Sequence, residues 1–310
     1  MTDERVASEE VNAPGSHPPR PIDTPFGALD APKVWSVEEC VRFRERRGGR
    51  VRDFRGRPWT GRRFWTPLLA WDPLPASDIS WPSRTALGYQ AVVDDPSSAT
   101  ATTDFLIVPS LSEYGPARIA KSRRGEVHEG VRENDFAILH EPGLLLAQGW
   151  GALSAAAKKT GQLAPRDEEA YRAEWTTVYS GSPPLVIAAT QRGRLLGYVV
   201  SYGVSGHAAI EEVVIAPWAR QHAVGAALYW IHLRMWASTP GIGYASLGRR
   251  FPERESLDYF KTSMGAEVTS LPVVGAMRAP ARAFLRVRRP HAHSRLVGAP
   301  VVASLPAAVQ

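Results

Sequence analysis

Residues 208–228 read AAIEEVVIAPWARQHAVGAAL and carry the clearest structural signal in the chain. The run is apolar up to Pro217, which predicts a strand over 208–216. Small residues then begin a second segment with one apolar helical face, formed by Val224, Leu228, Ile231 and Met235. Since other faces of this segment are apolar too, we predict a largely buried helix from 220 to about 236.

The flanking sequence extends this pair of elements into a domain. Tight turns at 191–194 and 205–206 separate apolar runs, and Gly265 closes an amphipathic segment. The predicted strands are 184–190, 195–202, 208–216, 244–247 and 266–273, and the predicted helices are 220–236 and 253–264. The order β-β-β-α-β-α-β predicts one α/β domain over 184–274.

The start of the predicted helix suits an anion. Its first N–H groups have no partner within the helix and carry the positive end of the helix dipole. Small side chains let a diphosphate approach these amides closely, and Arg220 adds a positive charge. The predicted diphosphate cradle consists of Gln221, His222, Ala223, Val224, Gly225 and Ala226.

These residues resemble the signature of the GNAT acetyltransferases, Arg/Gln-x-x-Gly-x-Gly/Ala after a strand and a proline. The chain has Arg220-Gln221-His222-Ala223-Val224-Gly225, with alanine for the first glycine. Alanine suits that position if its φ is negative. A second block, residues 257–266, is similar to the later helix of the family. The resemblance implies an α/β fold with a GNAT-like mixed sheet flanked by helices.

The GNAT resemblance also implies a chemistry. Acetyl-CoA, or another acyl-CoA, would lie along the third strand with its pantetheine amide on the backbone of Val214 and Ile215, and would acylate an amine. The attacking amine must lose a proton, and Glu211 or Glu212 would serve as the base. Because side chains alternate along a strand, only one of the two is expected to face the site. Tyr259 or Lys261 would assist the leaving thiolate. Lys261 occupies the position at which members of the family frequently have a tyrosine.

A more diffuse resemblance extends over the wider chain. The basic residues from Arg118, the apolar helix near 144–146 and the Phe260-Lys261 pair are similar to the Fem-type peptidyltransferases, which are tandem GNAT-like proteins. That similarity implies an aminoacyltransferase that uses aminoacyl-tRNA, with 35–165 as a partial GNAT-like or substrate domain. A third alternative is a non-catalytic GNAT-fold binding module, which Ala223 and the missing tyrosine favour.

Positive charge is concentrated in residues 41–63, where ten arginines face only Glu45 and Asp53. Ser36 and Glu39 form a capping-box pattern that begins a helix just before this segment, and Gly48-Gly49 ends it. Interleaved aromatic residues would suit tRNA or another polyanion. The alternative is a solvated basic surface, since charge clustering alone is a weak signal.

Composition sets the remaining expectations. The chain has 310 residues, a net charge of +6 and one cysteine, so neither a disulfide framework nor a multi-cysteine metal site is expected. Scattered histidines lack metal-ligand spacing. The N-terminus lacks a signal-peptide pattern and no apolar run is long enough to span a bilayer, so we predict a cytoplasmic protein without a membrane partner. The predicted organisation is a tail over 1–34, domains over 35–165 and 166–289, and a flexible tail over 290–310.

Overall fold

The computed structural model describes residues 31–160, 167–250 and 255–300. The described strands are β1 (Val34–Trp35), β2 (Val51–Phe54), β3 (Arg57–Gly61), β4 (Phe64–Pro67), β5 (Gly88–Val92), β6 (Ala101–Val108), β7 (Asp135–Ile138), β8 (Leu185–Gln191), β9 (Arg194–Val204), β10 (His207–Ile215), β11 (Tyr244–Arg249), β12 (Glu267–Met277) and β13 (Ala299–Pro300). The described helices are α1 (Val37–Arg46), α2 (Lys121–Glu133), α3 (Trp150–Thr160), α4 (Glu168–Tyr179), α5 (Val224–Ala237), α6 (Glu255–Ser263), α7 (Ala279–Arg288) and α8 (Pro290–Val297). A π-helical turn, Leu145–Gly149, leads into α3, and a 3₁₀ turn, Pro217–His222, precedes α5.

One mixed sheet contains these strands in the order β2-β3-β4-β5-β12-β6-β11-β10-β9-β8-β7, with β1 paired to β9 and β13 to β6. Strand β12 lies between β5 and β6, so a strand from the predicted domain 166–289 is inserted among strands from 35–165. The two predicted segments therefore share one sheet. The predicted boundary between them lies outside the described residues.

Helix α1 begins as its sequence predicts. Ser36 is the N-cap, its hydroxyl accepts from the backbone N–H of Glu39, and the Glu39 carboxylate accepts from the backbone N–H of Ser36. Both bonds satisfy donors that the first turn cannot pair within the helix. The cap fixes where α1 starts, and thereby which of its side chains point at the sheet.

The two faces of the sheet are covered by different helices. Alternate residues of β9 point in opposite directions: the Tyr202 hydroxyl accepts from Arg44 of α1 at 3.3 Å, whereas the Ser201 hydroxyl accepts from Trp236 of α5 at 3.0 Å. Helix α1 therefore lies on one face of the sheet and α5 on the other. Helix α4 lies beside α1, to which the Glu174–Arg47 ion pair at 2.6 Å joins it. Helix α5 is buried along nearly its whole length, which confirms the sequence prediction of an all-round apolar helix.

The sequence prediction needs correction at both ends of the chain. Residues 290–310 were expected to form a flexible tail, but Pro290–Val297 form α8 and Ala299–Pro300 pair with β6. At the other end, Val34 was assigned to a tail but pairs with Gly203 in β1. Each short strand pairs with a strand edge that exists only once the sheet has formed. The composition of the short segment itself therefore does not indicate the pairing. The rest of the two tails lies outside the described residues.

Candidate functional site

The sheet opens where β10 and β11 part. The two strands pair in parallel only from His207 to Ala209, against Tyr244 to Ser246. Both then continue, β10 to Ile215 and β11 to Arg249, and no further pairing joins them. One edge of β10 is therefore left without a strand partner over 210–215, and we call the opening along it the β10/β11 gap.

The N-terminus of α5 lies beside the end of this edge. A Cβ atom on Gly225 would meet Ile215 and the Phe260 ring only at 4.0 Å, so the first turn of α5 is close to the end of β10 and to α6 with room between them. The first intrahelical bond is from Ala227 N to Ala223 O. The preceding amides, on Val224, Gly225 and Ala226, have no acceptor within the helix. The structure thus brings these predicted cradle residues to the gap.

Ala223 departs from expectation. Its φ is +50° and its ψ is 23°, which is the left-handed conformation, whereas the sequence analysis allowed alanine there on condition of a negative φ. An L-residue with a Cβ is strained in this conformation by about 1–2 kcal/mol. Glycine, which has no Cβ, adopts it freely, and this explains why the resembling signature carries glycine at the position that Ala223 occupies. The side chains of Arg220 and Gln221 lie outside the description, while His222 accepts at its backbone carbonyl from Asn134 at 3.0 Å.

Backbone direction separates the two predicted pantetheine residues. The backbone N–H of Ala216 donates to the carbonyl of Leu196 in β9. In a strand, the backbone N–H and C=O of one residue point to the same neighbouring strand, and those of the next residue point to the opposite side. Val214, two residues before Ala216, therefore also bonds toward β9. Ile215, between them, directs its backbone groups into the β10/β11 gap. Ile215 is therefore the better placed of the two for binding a ligand amide.

Glu211 and Glu212 lie on the same face of the sheet, contrary to the expected alternation. A register shift between Ile210 and Glu212 makes Glu211 the extra residue of a β-bulge. As a result both carboxylates reach Arg47, whose guanidinium bonds Glu212 at 2.5 Å and lies 3.8 Å from Glu211. A bulge cannot be read from two adjacent glutamates, which is why the prediction of opposite faces was wrong.

Arg47 is the centre of a buried ion cluster. Besides Glu212 it bonds Glu174 of α4 at 2.6 Å, and Glu211 is also bonded by Arg44. Only 8% of the Arg47 side chain is exposed. Burial alone would lower the pKa of Arg47, but the three carboxylates, Glu212 foremost, raise it above its usual range. Three carboxylates against two guanidiniums leave this Glu–Arg cluster with a formal charge of −1.

Buried tyrosines line the cluster. The Tyr171 hydroxyl donates to Tyr198 at 3.3 Å, and the Tyr198 hydroxyl lies 3.5 Å from Glu212. Burial, with Glu212 adding to it, raises the pKa of Tyr198 well above its usual range. Burial also raises the pKa of Tyr202 to about 12, although Arg44 opposes that shift. Both phenols are therefore neutral near pH 7 and act as hydrogen-bonding groups.

The two α6 residues that the sequence singled out have different surroundings. Lys261 is buried, and its ammonium donates to the Leu247 carbonyl of β11 at 2.5 Å, directly after Ser246, the last β11 residue that pairs with β10. It therefore lies on the β11 side of the gap. Tyr259 is 64% exposed. The structure brings Lys261 to the candidate site and leaves Tyr259 at the surface of α6.

A separate cavity of about 450 Å³ lies near the start of β11, at Gly243 and Tyr244. Its lining is mostly apolar and comes from β6, β11, β12 and neighbouring loops: Trp71, Ile107, Pro109, Ser110, Gly243, Tyr244, Thr269 and Leu271. Tyr244 pairs with His207, and the His207 and Tyr244 rings are 3.7 Å apart. Burial lowers the pKa of His207 and raises the pKa of Asp72, whose carboxylate lies 3.6 Å from the His207 ring.

Sequence reasoning missed the role of Arg44 and Arg47. It assigned them to the basic segment 41–63 as surface charge, whereas both turn inward to the carboxylates. Their spacing held a usable signal: Cys40, Phe43, Arg44 and Arg47 recur at i, i+3, i+4 and i+7, and the first two are buried. Among the described residues, no cluster of histidine, cysteine, aspartate or glutamate could hold a metal ion. Nor does any described helix have the length and apolarity that crossing a bilayer would require.

Comparisons with known proteins give likeness at the level of structure alone. No protein-family model matches the chain, and no curated protein matches its sequence. Among solved structures, FemX is 8% identical with a TM-score of 0.56, covering 86% of this chain and 95% of FemX. The C-terminal DUF2156 domain of a protein described as a lysylphosphatidylglycerol synthetase, from Agrobacterium fabrum, is 12% identical with a TM-score of 0.53, covering 84% of this chain and 94% of that domain.

A third solved structure, L-PGS from Bacillus licheniformis, is 14% identical with a TM-score of 0.51, covering 87% of this chain and 99% of that one. The chain thus has a GNAT-like α/β fold, a mixed sheet flanked by helices, and it resembles the Fem type over most of its length.

Proposed function

We propose that this protein is an acyltransferase that moves an acyl group from an activated donor, acetyl-CoA or another acyl-CoA, to an amine. The observation that carries the proposal is the parting of β10 from β11 with the N-terminus of α5 directed at the opening. The open strand edge offers backbone groups to an extended chain such as pantetheine. The free amides of α5 offer a site for the diphosphate that follows it.

The donor would be held by backbone more than by side chains. Ile215 would pair with the pantetheine amide, and the amides of Val224 to Ala226 would bind the diphosphate. Gly225 has no side chain to obstruct that approach. The thioester would then lie farther along β10, toward the bulge at Glu211.

Glu211 is the better candidate for the base that deprotonates the amine. It is the bulge residue, its side chain is more exposed than that of Glu212, and its closest cation, Arg44, is the less buried of the two arginines. Glu212 is held by Arg47 and lies near Tyr198, which suits a role in positioning. Lys261, on the opposite side of the gap, would place a positive charge near the leaving thiolate.

Ligand binding tests the donor site. Acetyl-CoA should raise the melting temperature by mass action, by about 2.7 kcal/mol of stability at one hundred times its Kd. Gly225→Asp should abolish the shift, because the carboxylate suits the helix dipole but repels a diphosphate. Gly225→Ala is the matched control and should keep most of the shift. Equal shifts in Gly225→Asp and wild type would place the ligand elsewhere.

Turnover tests the base. With an amine that the wild type acylates, Glu211→Gln should lower kcat by about two orders of magnitude or more, as expected for loss of general-base catalysis. Glu174→Gln removes a carboxylate from the same cluster but from α4, so its turnover should stay within a few-fold of wild type. Absence of turnover on every amine, with intact CoA binding, would favour a non-catalytic binding module.

One observation favours a second donor, aminoacyl-tRNA. A buried lysine follows Phe260 at the β11 side of the gap, where the sequence resembles the Fem type in the same pair of residues. Exposed arginines of segment 41–63 that remain outside the Glu–Arg cluster would bind the tRNA backbone. This donor predicts RNA binding that weakens steeply with salt and no response to acetyl-CoA. Salt-insensitive RNA binding, or none, would exclude it.

A further inference from the structure

Helix α7 has an apolar side that no part of the described chain covers. Pro280, Ala283, Phe284 and Val287 follow the spacing i, i+3, i+4 and i+7, and all four are exposed. Val287 is 80% exposed and Phe284 is 59% exposed. The opposite side of the helix, with Ala281 and Leu285, is the half-buried one. The apolar stripe therefore points away from the protein, the reverse of an ordinary surface helix.

Arginines flank this stripe. Arg282, Arg286 and Arg288 of α7 are exposed, and Arg289 follows at its C-cap. No aspartate or glutamate occurs among residues 278–295. Within the part of the chain that the structure describes, no ion pair engages the arginines of α7. The helix thus combines an outward apolar stripe with an uncompensated positive charge.

The surface continues beyond the helix. Arg278, at the N-cap of α7, donates its backbone N–H to Leu87 O, and its guanidinium stacks over the Trp81 ring at 4.7 Å. Trp81 and Leu87 are themselves exposed, and Arg84 lies between them in sequence. Four of the seven large apolar side chains exposed among the described residues belong to this surface. We call it the α7 face.

We propose that the α7 face binds the surface of an anionic phospholipid bilayer, with α7 lying in the interface. The arginines would meet the lipid phosphates while Phe284 and Val287 enter the boundary of the acyl chains, the pattern of interfacial amphipathic helices. The expectation of no membrane partner rested on the lack of a spanning segment, which a helix lying in the plane of the interface does not need. This surface is separate from the β10/β11 gap, so the inference stands whether or not the proposed function does.

An anionic bilayer fits this face better than RNA does. Both would attract arginine. RNA is bound through the charge of its phosphates and through stacking of its bases on aromatic side chains. An exposed aliphatic side chain such as Val287 contributes to neither. A bilayer takes up the charged and the apolar components together. Trp81 beside Arg278 adds an aromatic side chain of the type that favours the headgroup region.

Vesicle co-sedimentation of the full chain tests the proposal. The probes are vesicles of phosphatidylcholine alone and of phosphatidylcholine with phosphatidylserine, each at low and high salt. The protein should bind the anionic vesicles and not the neutral ones. Arg282→Gln with Arg286→Gln should weaken binding roughly 25-fold, at about fivefold per arginine. Arg132→Gln with Arg192→Gln, two exposed arginines elsewhere, is the matched control and should weaken it far less.

Phe284→Ser with Val287→Ser separates insertion from simple charge attraction. Both side chains are exposed, so the variant should fold normally, and it should lose anionic vesicle binding at least tenfold. Val268→Ser, at an exposed apolar residue of β12, should bind like wild type. Binding unchanged in the Phe284 and Val287 variant would overturn the proposal.

Two further outcomes would also overturn it. The first is tRNA binding that is lost in the arginine variant while vesicles are never bound, which would make the face an RNA surface. The second is a dimer in sedimentation velocity that the Phe284 and Val287 variant converts to monomer, which would make it an interface between copies of the chain.

Discussion

Replacing Arg47 by methionine should destabilise the protein more than loss of any single surface charge. Methionine keeps most of the volume but removes the bonds to Glu174 at 2.6 Å and to Glu212 at 2.5 Å, and leaves three carboxylates facing Arg44 alone. Breaking a buried ion pair from one side costs about 3–5 kcal/mol, because a charge is left without its partner. At roughly 2–4 °C per kcal/mol for chains of this size, the melting temperature should fall by about 6–20 °C.

Urea unfolding followed by tryptophan fluorescence measures this change. Arg172→Met on α4 is the matched control: it breaks a pair with Glu168 in which both side chains are half exposed, and should cost less than about 1 kcal/mol. Adding Glu212→Gln to Arg47→Met should recover part of the loss, since it removes one stranded charge. If Arg47→Met costs no more than Arg172→Met, the cluster does not have the electrostatic role described above.

Four further variants test other parts of the fold. His232 is buried with neither ring nitrogen hydrogen-bonded, and burial lowers its pKa to about 3. Because the folded state favours the neutral ring, the free energy of unfolding should fall by about 1.4 kcal/mol per pH unit from pH 6.5 toward 3. His232→Leu should remove this slope in acid unfolding, and His128→Leu, at an exposed histidine, should not. Gly130→Ala should lower the unfolding free energy by 1 kcal/mol or more, because a Cβ there would lie 2.6 Å from Ala223 O; an unchanged urea midpoint would contradict that packing. Ala223→Gly should stabilise by about 1 kcal/mol through relief of its left-handed φ, whereas Ser36→Ala should destabilise by about the same amount through loss of the cap, both measured by thermal unfolding.

The part of the fold that could be predicted from sequence is the part set by local pattern. Strands and helices over 184–274 follow from apolar periodicity and turn residues, and the start of α1 follows from Ser36 and Glu39. What could not be predicted depends on partners remote in sequence. Nothing local to β12 indicates that it lies between β5 and β6, and nothing in 290–300 indicates that α8 packs on the sheet.

The candidate site shows the same division. The start of α5, where small residues after a strand predict a diphosphate cradle, lies beside the β10/β11 gap. The bulge at Glu211 depends on strand register, and the contact of the Ala223 carbonyl with Gly130 of α2 depends on a segment remote in sequence. Charge counted along the sequence places Arg44 and Arg47 in a basic segment, whereas the helical spacing from Cys40 and Phe43 places them on the side of α1 that faces the sheet.

The late position of β12 has a consequence for synthesis of the protein. Strands β5 and β6 leave the ribosome long before Glu267–Met277, yet each needs β12 as a neighbour. Until then both expose unpaired backbone along one edge, which is a template for pairing with other chains. The nascent polypeptide must therefore wait for β12 before β5 and β6 can be joined in one sheet, so termination before residue 267 should yield an aggregating fragment rather than a smaller folded unit.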